Sequence, residues 1–476
     1  MCSGFKAAAV ALALAASGVT GHAQTSDTLS LDLAGAVARA LRVADEARLA
    51  AFGIDAASAQ FTTARASSLP QVTLNSSYSQ VVRNARATIV GNVFGQSYNY
   101  AATLNISQTI FQGGREFYAW AGASRARSAV RLEAEEVRAA LEVDVQRAYL
   151  DALYAARVAG IQRNGLSLAK DRLAQIEQLA SSGRAARYDV LRARVEAGNL
   201  EPVVLQSENS RTLAELELRR ILNIPAAQAI RLTTDLDAQS ARAVVTLVGE
   251  QGAQTPTRPA LRASQLNYLA RKAAVGVARA DFLPTISVFL RTGYLSLPSE
   301  PGFPWGVGRT STTLCPVGSP PGRVCQNDGW FRDESFGVQV SWPLFDGLRA
   351  KGNLDLATAQ ARIAELQWRQ REEQVGLEVA RARAEFDRAR AAFDAQRTNA
   401  GEASEAFQLA TLRFTRGLGT QLEITDAQYA YLTAQSNEAR SVYDLHLAAA
   451  ELARALGRPI PIPAGATGVR TTSSNQ

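Results

Sequence analysis

The chain is written twice, at a spacing too long for stacked repeats. Leu69-Pro70 in ARASSLPQVTL returns as Leu283-Pro284 in ARADFLPTISV, 214 residues later. Phe111, Gly183 and Pro225 return as Phe345, Gly417 and Pro459, each 234 residues later. One insertion of 20 residues in the second copy reconciles the two offsets. Solenoid repeats run to roughly 20–50 residues, so this duplication predicts two similar structural halves in one chain.

Each half reads as a helix, two strands, a very long helix, a turn and a returning helix. The opening helix is expected over about Ser30–Ser67, stopping at Leu69-Pro70 because the residue before a proline avoids the α region. In the second strand that follows, Tyr98, Tyr100, Ala102, Leu104 and Ile106 alternate with Asn99, Ala101, Thr103, Asn105 and Ser107. The second half repeats the pattern with Ile286, Val288 and Leu290, then with Phe336, Val338, Val340, Trp342 and Leu344. A period of two with one apolar and one small polar face fits a half-buried strand of a soluble core. It also fits a membrane barrel strand with a wet lumen, which aromatics at the strand ends (Tyr78, Tyr98, Trp342, Phe345) favour.

The long helices are expected over about Gly114–Ser181 and Leu348–Thr415, each roughly 100 Å at 1.5 Å per residue. Both carry an apolar seam in the same phase: Leu141, Val145, Ala148, Ala152, Ala155 and Ala159 in one, Val375, Val379, Ala382, Phe386, Ala389 and Phe393 in the other. Steps of four and three, continued to Ala180 and Phe414, specify a coiled coil. A polar seam position, Gln162 and Gln396, recurs in both copies, either tolerated or fixing register. Glycine turns at Gly183 and at Gly417 and Gly419 make the tips of two αα-hairpins, far from the strands.

Residues 1–23 read as a secretory signal peptide: Lys6, an apolar run over 7–16 and a small-residue exit before Gln24. Cys2 precedes that run, so no lipid anchor is expected on the mature N-terminus. No later stretch approaches a spanning helix, so any membrane segment must be β. Cys315 and Cys325, both in the insertion, are expected to form a disulfide in an oxidising compartment, with two free thiols as the alternative. The net charge of +7 comes with alternating Arg and Glu/Asp at helix spacing, which marks solvated helix faces and not a nucleic-acid surface. There is no catalytic triad, no metal-spaced Cys/His cluster and no phosphate loop in the sequence, so neither an enzyme nor a cofactor is expected. His446, the sole histidine after residue 23, reads as an interfacial helix side chain.

Four barrel strands cannot close on themselves, and unpaired edges are not tolerated in lipid. A dimer would supply eight strands and a trimer twelve. The doubled Ala-Arg-Ala-x-x-Leu-Pro, the Phe-x-Gly that opens each long helix (Phe111 and Gly113, Phe345 and Gly347) and the glycine tips resemble the TolC-type outer-membrane efflux and export duct family. The resemblance runs from about Leu29 to Pro459. It implies a mainly α protein with a membrane β-barrel: a homotrimer joining a twelve-stranded barrel in outer-membrane lipid to a periplasmic α-barrel. It divides the chain into repeat 1 (24–225), an equatorial linker (226–257), repeat 2 (258–460, with an external loop at 298–330) and a tail (461–476). It also implies that Gly183, Arg184, Arg416, Gly417, Leu418 and Gly419 meet a periplasmic adaptor working with an inner-membrane RND or ABC pump. Asp189, Glu423 and Asp426 would ring the periplasmic mouth, where converging carboxylates attract cations; a helix-start acid favoured by the macrodipole is the simpler reading of each. The family's tyrosine and arginine lock is absent, its positions being Phe414 and Gly419. A surface coiled coil without a channel is the competing reading, against which the doubled strand pairs speak.

Overall fold

A computed structural model describes residues 28–83, 98–250, 258–298, 302–307, 309–311 and 326–462. The signal peptide, Cys315, Cys325 and most of the tail lie outside the described residues.

The long helices form as expected. Helix α3 spans Arg115–Ser181 and returns through α4, Arg187–Ile221. Helix α7 spans Arg349–Thr415 and returns through α8, Gln421–Leu456. Seam residues Leu141, Val145, Ala148, Ala152 and Ala159 are buried on α3, as are Val375, Phe386, Ala389 and Phe393 on α7. The first hairpin is laced by ion pairs at heptad spacing: Arg163–Glu208 (2.5 Å), Lys170–Glu201 (2.8 Å) and Glu177–Arg194 (2.8 Å). Each step is seven residues forward on α3 and seven back on α4. These pairs are about half exposed, so each adds at most about 1 kcal/mol, and their value is register.

The opening helix is two, α1 (Leu33–Val43) and α2 (Asp45–Ala66), where one had been expected. Ala44 is extended at ψ 142, and Asp45 and Glu46 restart the helix with negative charge at its N-terminus. Beyond the four expected strands there are four short ones among the described residues. Strand β1 (Leu29–Leu31) pairs in parallel with β4 (Ile230–Leu232), and β6 (Arg309–Ser311) pairs with β7 (Gln326–Asp328). The segment expected as a linker thus contributes β4 and helix α5 (Ala238–Glu250). Tyr149 of α3, fully buried, donates its hydroxyl to the Leu31 carbonyl (2.8 Å) and accepts from the Thr234 amide (3.2 Å).

The duplication reaches the cores. Leu33, Ala36, Val37 and Ala40 of α1 pack on the first hairpin with Val145, Tyr149 and Leu218. Ala241 and Val244 of α5 pack on the second with Phe386, Phe393, Leu445 and Ala449. A buried guanidinium joins the copies. Arg258, preceding α6 (Pro259–Ala280), pairs with Glu136 of α3 at 2.7 Å and with Glu378 of α7; Arg454 of α8 lies 3.5 Å from Glu136.

The main sheet is antiparallel in the order β2 (Gln71–Gln80), β3 (Tyr98–Gln112), β5 (Thr285–Ser296), β8 (Phe331–Ser341). Its register aligns the alternation predicted from sequence across all four strands. Val72 faces Ile106, Ile106 faces Leu290 and Leu290 faces Phe336 in an apolar row, while farther along the same face Thr292 is set against Glu334, which pairs with Arg332. Thr73 faces Asn105, Asn105 faces Arg291 and Arg291 faces Ser335 on the polar face. The apolar face is uncovered in the single chain: Leu74, Phe336, Val338 and Val340 are exposed, Leu74 at 73%. Strands β2 and β8 are its free edges.

Candidate functional site

The two hairpin tips are built alike. At the first, Gly183 takes φ 72, the Gly183 amide donates to the Ala180 carbonyl (3.0 Å) and the Arg184 amide to Leu179 (2.8 Å). At the second, Gly417 also takes φ 72, with Gly417 to Phe414 (3.0 Å) and Leu418 to Arg413 (2.8 Å). This closes the helix carbonyls with a left-handed residue that glycine adopts without steric cost. Arg184, Arg416, Gly417 and Leu418 are exposed there, with Tyr188 and Leu422 beside them. Gly419 is half-buried, and a Cβ on it would lie 3.2 Å from Glu423 Oε2 and from the Phe414 nitrogen.

The three candidate acids stand within the first two turns after these tips, and two have local work. Asp189 Oδ2 accepts the Ala186 amide at 3.2 Å, at the third position of α4. Glu423 holds the same position in α8, where its amide donates to the Thr420 hydroxyl (3.2 Å). Its carboxylate lies 3.6 Å from Arg413 across the turn. These contacts satisfy helix N-termini. Asp426 is exposed and has no ion pair among the described residues.

The group that ties the two hairpins together near the tips was not anticipated. Arg172 of α3 is 6% exposed. Its Nη1 donates to Glu196 of α4 (3.4 Å) and to the Thr425 hydroxyl of α8 (3.3 Å), and its Nη2 to Gln428 Oε1 of α8. Thr425 in turn donates to Glu196 Oε2 (3.2 Å), and Gln428 Nε2 to the Gly165 carbonyl (3.2 Å). Burial disfavours the charge on Arg172, and Glu196 opposes that shift. Gly165 permits the approach: a Cβ there would lie 2.7 Å from Leu432 Cδ1. The only signal in the sequence was a second stripe on α3, Ile161, Gly165 and Arg172, buried beside the apolar seam. Gln162 and Gln396 make no such link; Gln396 Oε1 is buried without a partner.

No helix among the described residues is long and apolar enough to cross a membrane, which leaves the exposed apolar sheet to be explained. The sequence matches the outer membrane efflux proteins over residues 24–223 and 256–458. The chain belongs to that family. Membership places it in the outer membrane, in transport, and its relatives include channels of efflux pumps. It is 23% identical to nodulation protein T of Rhizobium leguminosarum bv. trifolii, over 82% of this chain and 78% of that one. With the outer membrane protein OprJ of Pseudomonas aeruginosa it shares 27% identity, over 68% of this chain and 62% of OprJ. The solved outer membrane protein VceC of Vibrio cholerae has the same fold, with a TM-score of 0.71 at 20% identity, covering 90% of this chain and 97% of VceC. As an outer membrane efflux protein, the chain carries an arginine clamp between its hairpins in a place where the sequence had offered only an apolar seam.

Proposed function

We propose that three copies of this chain form a passive conduit across the outer membrane and periplasm. A periplasmic adaptor engages it at the tips, and an inner-membrane pump supplies the free energy. The observation that carries this reading is the four-stranded sheet, exposed and mainly apolar on one face, mainly polar on the other, with two unpaired edges. Strand β2 runs antiparallel to β3, and the alternation continues to β8, so the β8 edge of one copy meets the β2 edge of the next antiparallel. Twelve strands then close with the apolar face to lipid and the polar face to water. The hairpins continue below as a helical tube. Asp189, Glu423 and Asp426, repeated three times, make a negative mouth that draws cations, and the exposed residues of the tips are where the adaptor docks. Opening separates the second hairpin from the first.

Efflux of small molecules takes precedence over protein secretion because the matching family is one of efflux proteins. The test is mass and conductance together. Protein extracted from outer membranes should have three times the chain mass after detergent correction, and should conduct in planar bilayers. A monomeric mass, or no conductance even after Glu423→Gln and Asp426→Asn, would sink the proposal.

A further inference from the structure

The two hairpins differ in how their seams are filled. Where the second carries Phe386 and Phe393, the first has Ala152 and Ala159, each 234 positions earlier. Next to these, Ala148 and Ala155 of α3 line one groove with Ser207, Ser210 and Ala214 of α4. Small side chains on both arms leave about 570 Å³ open between them, within the range that holds a drug-sized molecule.

The groove leaves one carboxylate uncompensated. Its charged lining residues are Asp151, Glu217 and Arg440. Glu217 is paired with Arg220 (2.7 Å) and Arg440 with Asp444 (3.0 Å), which offsets both charges. Asp151 has no ion pair among the described residues. The buried Tyr443 hydroxyl donates to it. Burial and that hydrogen bond raise the Tyr443 pKa, so the phenol keeps its proton and points it at the Asp151 carboxylate. Arg440 lies over the rings of Tyr154 (5.6 Å) and Tyr443 (4.9 Å) and closes one side. Tyr154, Val158 and Val203 supply apolar surface.

The groove opens away from the short elements packed on the hairpins. Leu153 and Arg157 of α3 and Glu438 and Val442 of α8 line a hollow with Thr234 and Asp237, between β4 and α5. At about 100° per residue, Asp151, Val158 and Gln162 lie on roughly the opposite side of α3, as Arg440 does on α8. In the duct proposed above, α1, β1, β4 and α5 would obstruct the conduit if they stood inside it. They belong outside the helical tube, which turns the groove of each copy toward the lumen.

We propose that this groove is a luminal binding site for organic monocations, whose apolar body lies against Tyr154, Val158 and Val203 and whose charge lies at Asp151. This names a cargo class for the duct and rests on that reading. The experiment titrates the full chain, in nonionic detergent, with ethidium and reads fluorescence anisotropy. The parent should bind one ethidium per chain. Asp151→Asn, which can still accept from Tyr443, should weaken binding about tenfold, and so should replacing ethidium by its uncharged base. Ser210→Phe, filling the groove from an exposed position, should abolish saturable binding and melt as the parent does. In planar bilayers ethidium should lower single-channel current in steps, and Asp151→Asn should shorten their dwell time about tenfold. No saturable binding to the parent, equal affinity in Asp151→Asn, or equal affinity for the uncharged base would overturn the site. Binding that leaves the current untouched would put the groove outside the lumen and overturn the luminal assignment. A chain that binds ethidium but never conducts would remove the duct itself, and the luminal site with it.

Discussion

Arg172 and Gln428, 256 positions apart in the chain, hydrogen-bond in a buried site where the first hairpin meets the returning helix of the second. Of the polar contacts near the tips, this one joins the hairpins with little access for water to compete. A buried ion pair adds little net stability, yet losing one partner strands the other.

Arg172→Leu should therefore loosen the tips without unfolding the hairpins. Glu196 keeps some exposure, so a local cost of about 2–3 kcal/mol is expected, below that for a fully buried charge. Amide exchange in residues 160–180 and 421–435 should accelerate by roughly a hundredfold, and channel openings should become more frequent. Gln428→Leu, which spares the charge pair, should produce a smaller change in the same direction. Unchanged exchange in both variants would mean that the clamp bears no load.

Asp426 and Glu423 should separate by assay. Glu423 shares a half-exposed pair with Arg413, worth at most about 1 kcal/mol, so Glu423→Gln should move the melting temperature by only a few degrees. Asp426→Asn should leave melting unchanged. Combined, the two should weaken channel block by hexaamminecobalt(III) about tenfold, because three copies of each carboxylate are lost from one axis. Equal block in parent and double variant would leave the acids as helix-start residues alone.

Stability should fall with acid through His446. This side chain is buried between α8 and α5, its Nε2 3.2 Å from the Ser240 hydroxyl, and burial pushes its pKa down to about 4, with Asp237 opposing. The unfolded chain therefore binds a proton that the folded chain refuses between pH 6.5 and about 4. Stability is full above the unfolded value and declines through that window by about 3 kcal/mol. Denaturant midpoints across pH 7 to 4 should show this slope, and His446→Gln should flatten it.

Leu348 is the residue to replace for stability. It takes φ 69 at the start of α7, where the equivalent position in the first copy is Gly114 at φ 78. A left-handed non-glycine residue costs roughly 1–2 kcal/mol, and Leu348 is 66% exposed, so its side chain offers little packing in return. Leu348→Gly should raise stability by about 1 kcal/mol, read as a higher denaturant midpoint with an unchanged slope.

The strongest periodicities were legible in advance, and the shortest contacts were not. The seam through Val145, Ala152, Val375 and Phe393 could be read because steps of four and three persist over dozens of residues. The β-alternation could be read because it recurs in both copies. The break at Ala44 could not: it falls in an alanine-rich stretch without glycine or proline, where only the Asp45-Glu46 restart marks it. Strands β1 and β4 are three residues each and pair across about 200 positions, too short for any period to register. Arg172 was hidden for another reason. An arginine on a charged helix reads as solvated, and only the convergence of α3, α4 and α8 reveals that it is not.

The lacing of the first hairpin has a consequence for its evolution. Glu208, Glu201 and Arg194 meet Arg163, Lys170 and Glu177 in rungs that advance by seven residues on both arms. An insertion on one arm alone would set every rung beyond it out of step and rotate the seam off its partner. The length of the hairpin can therefore change only in quanta, one heptad on each arm at once, about 10 Å per step. The hairpin behaves as a ruler whose divisions are fixed by its charges.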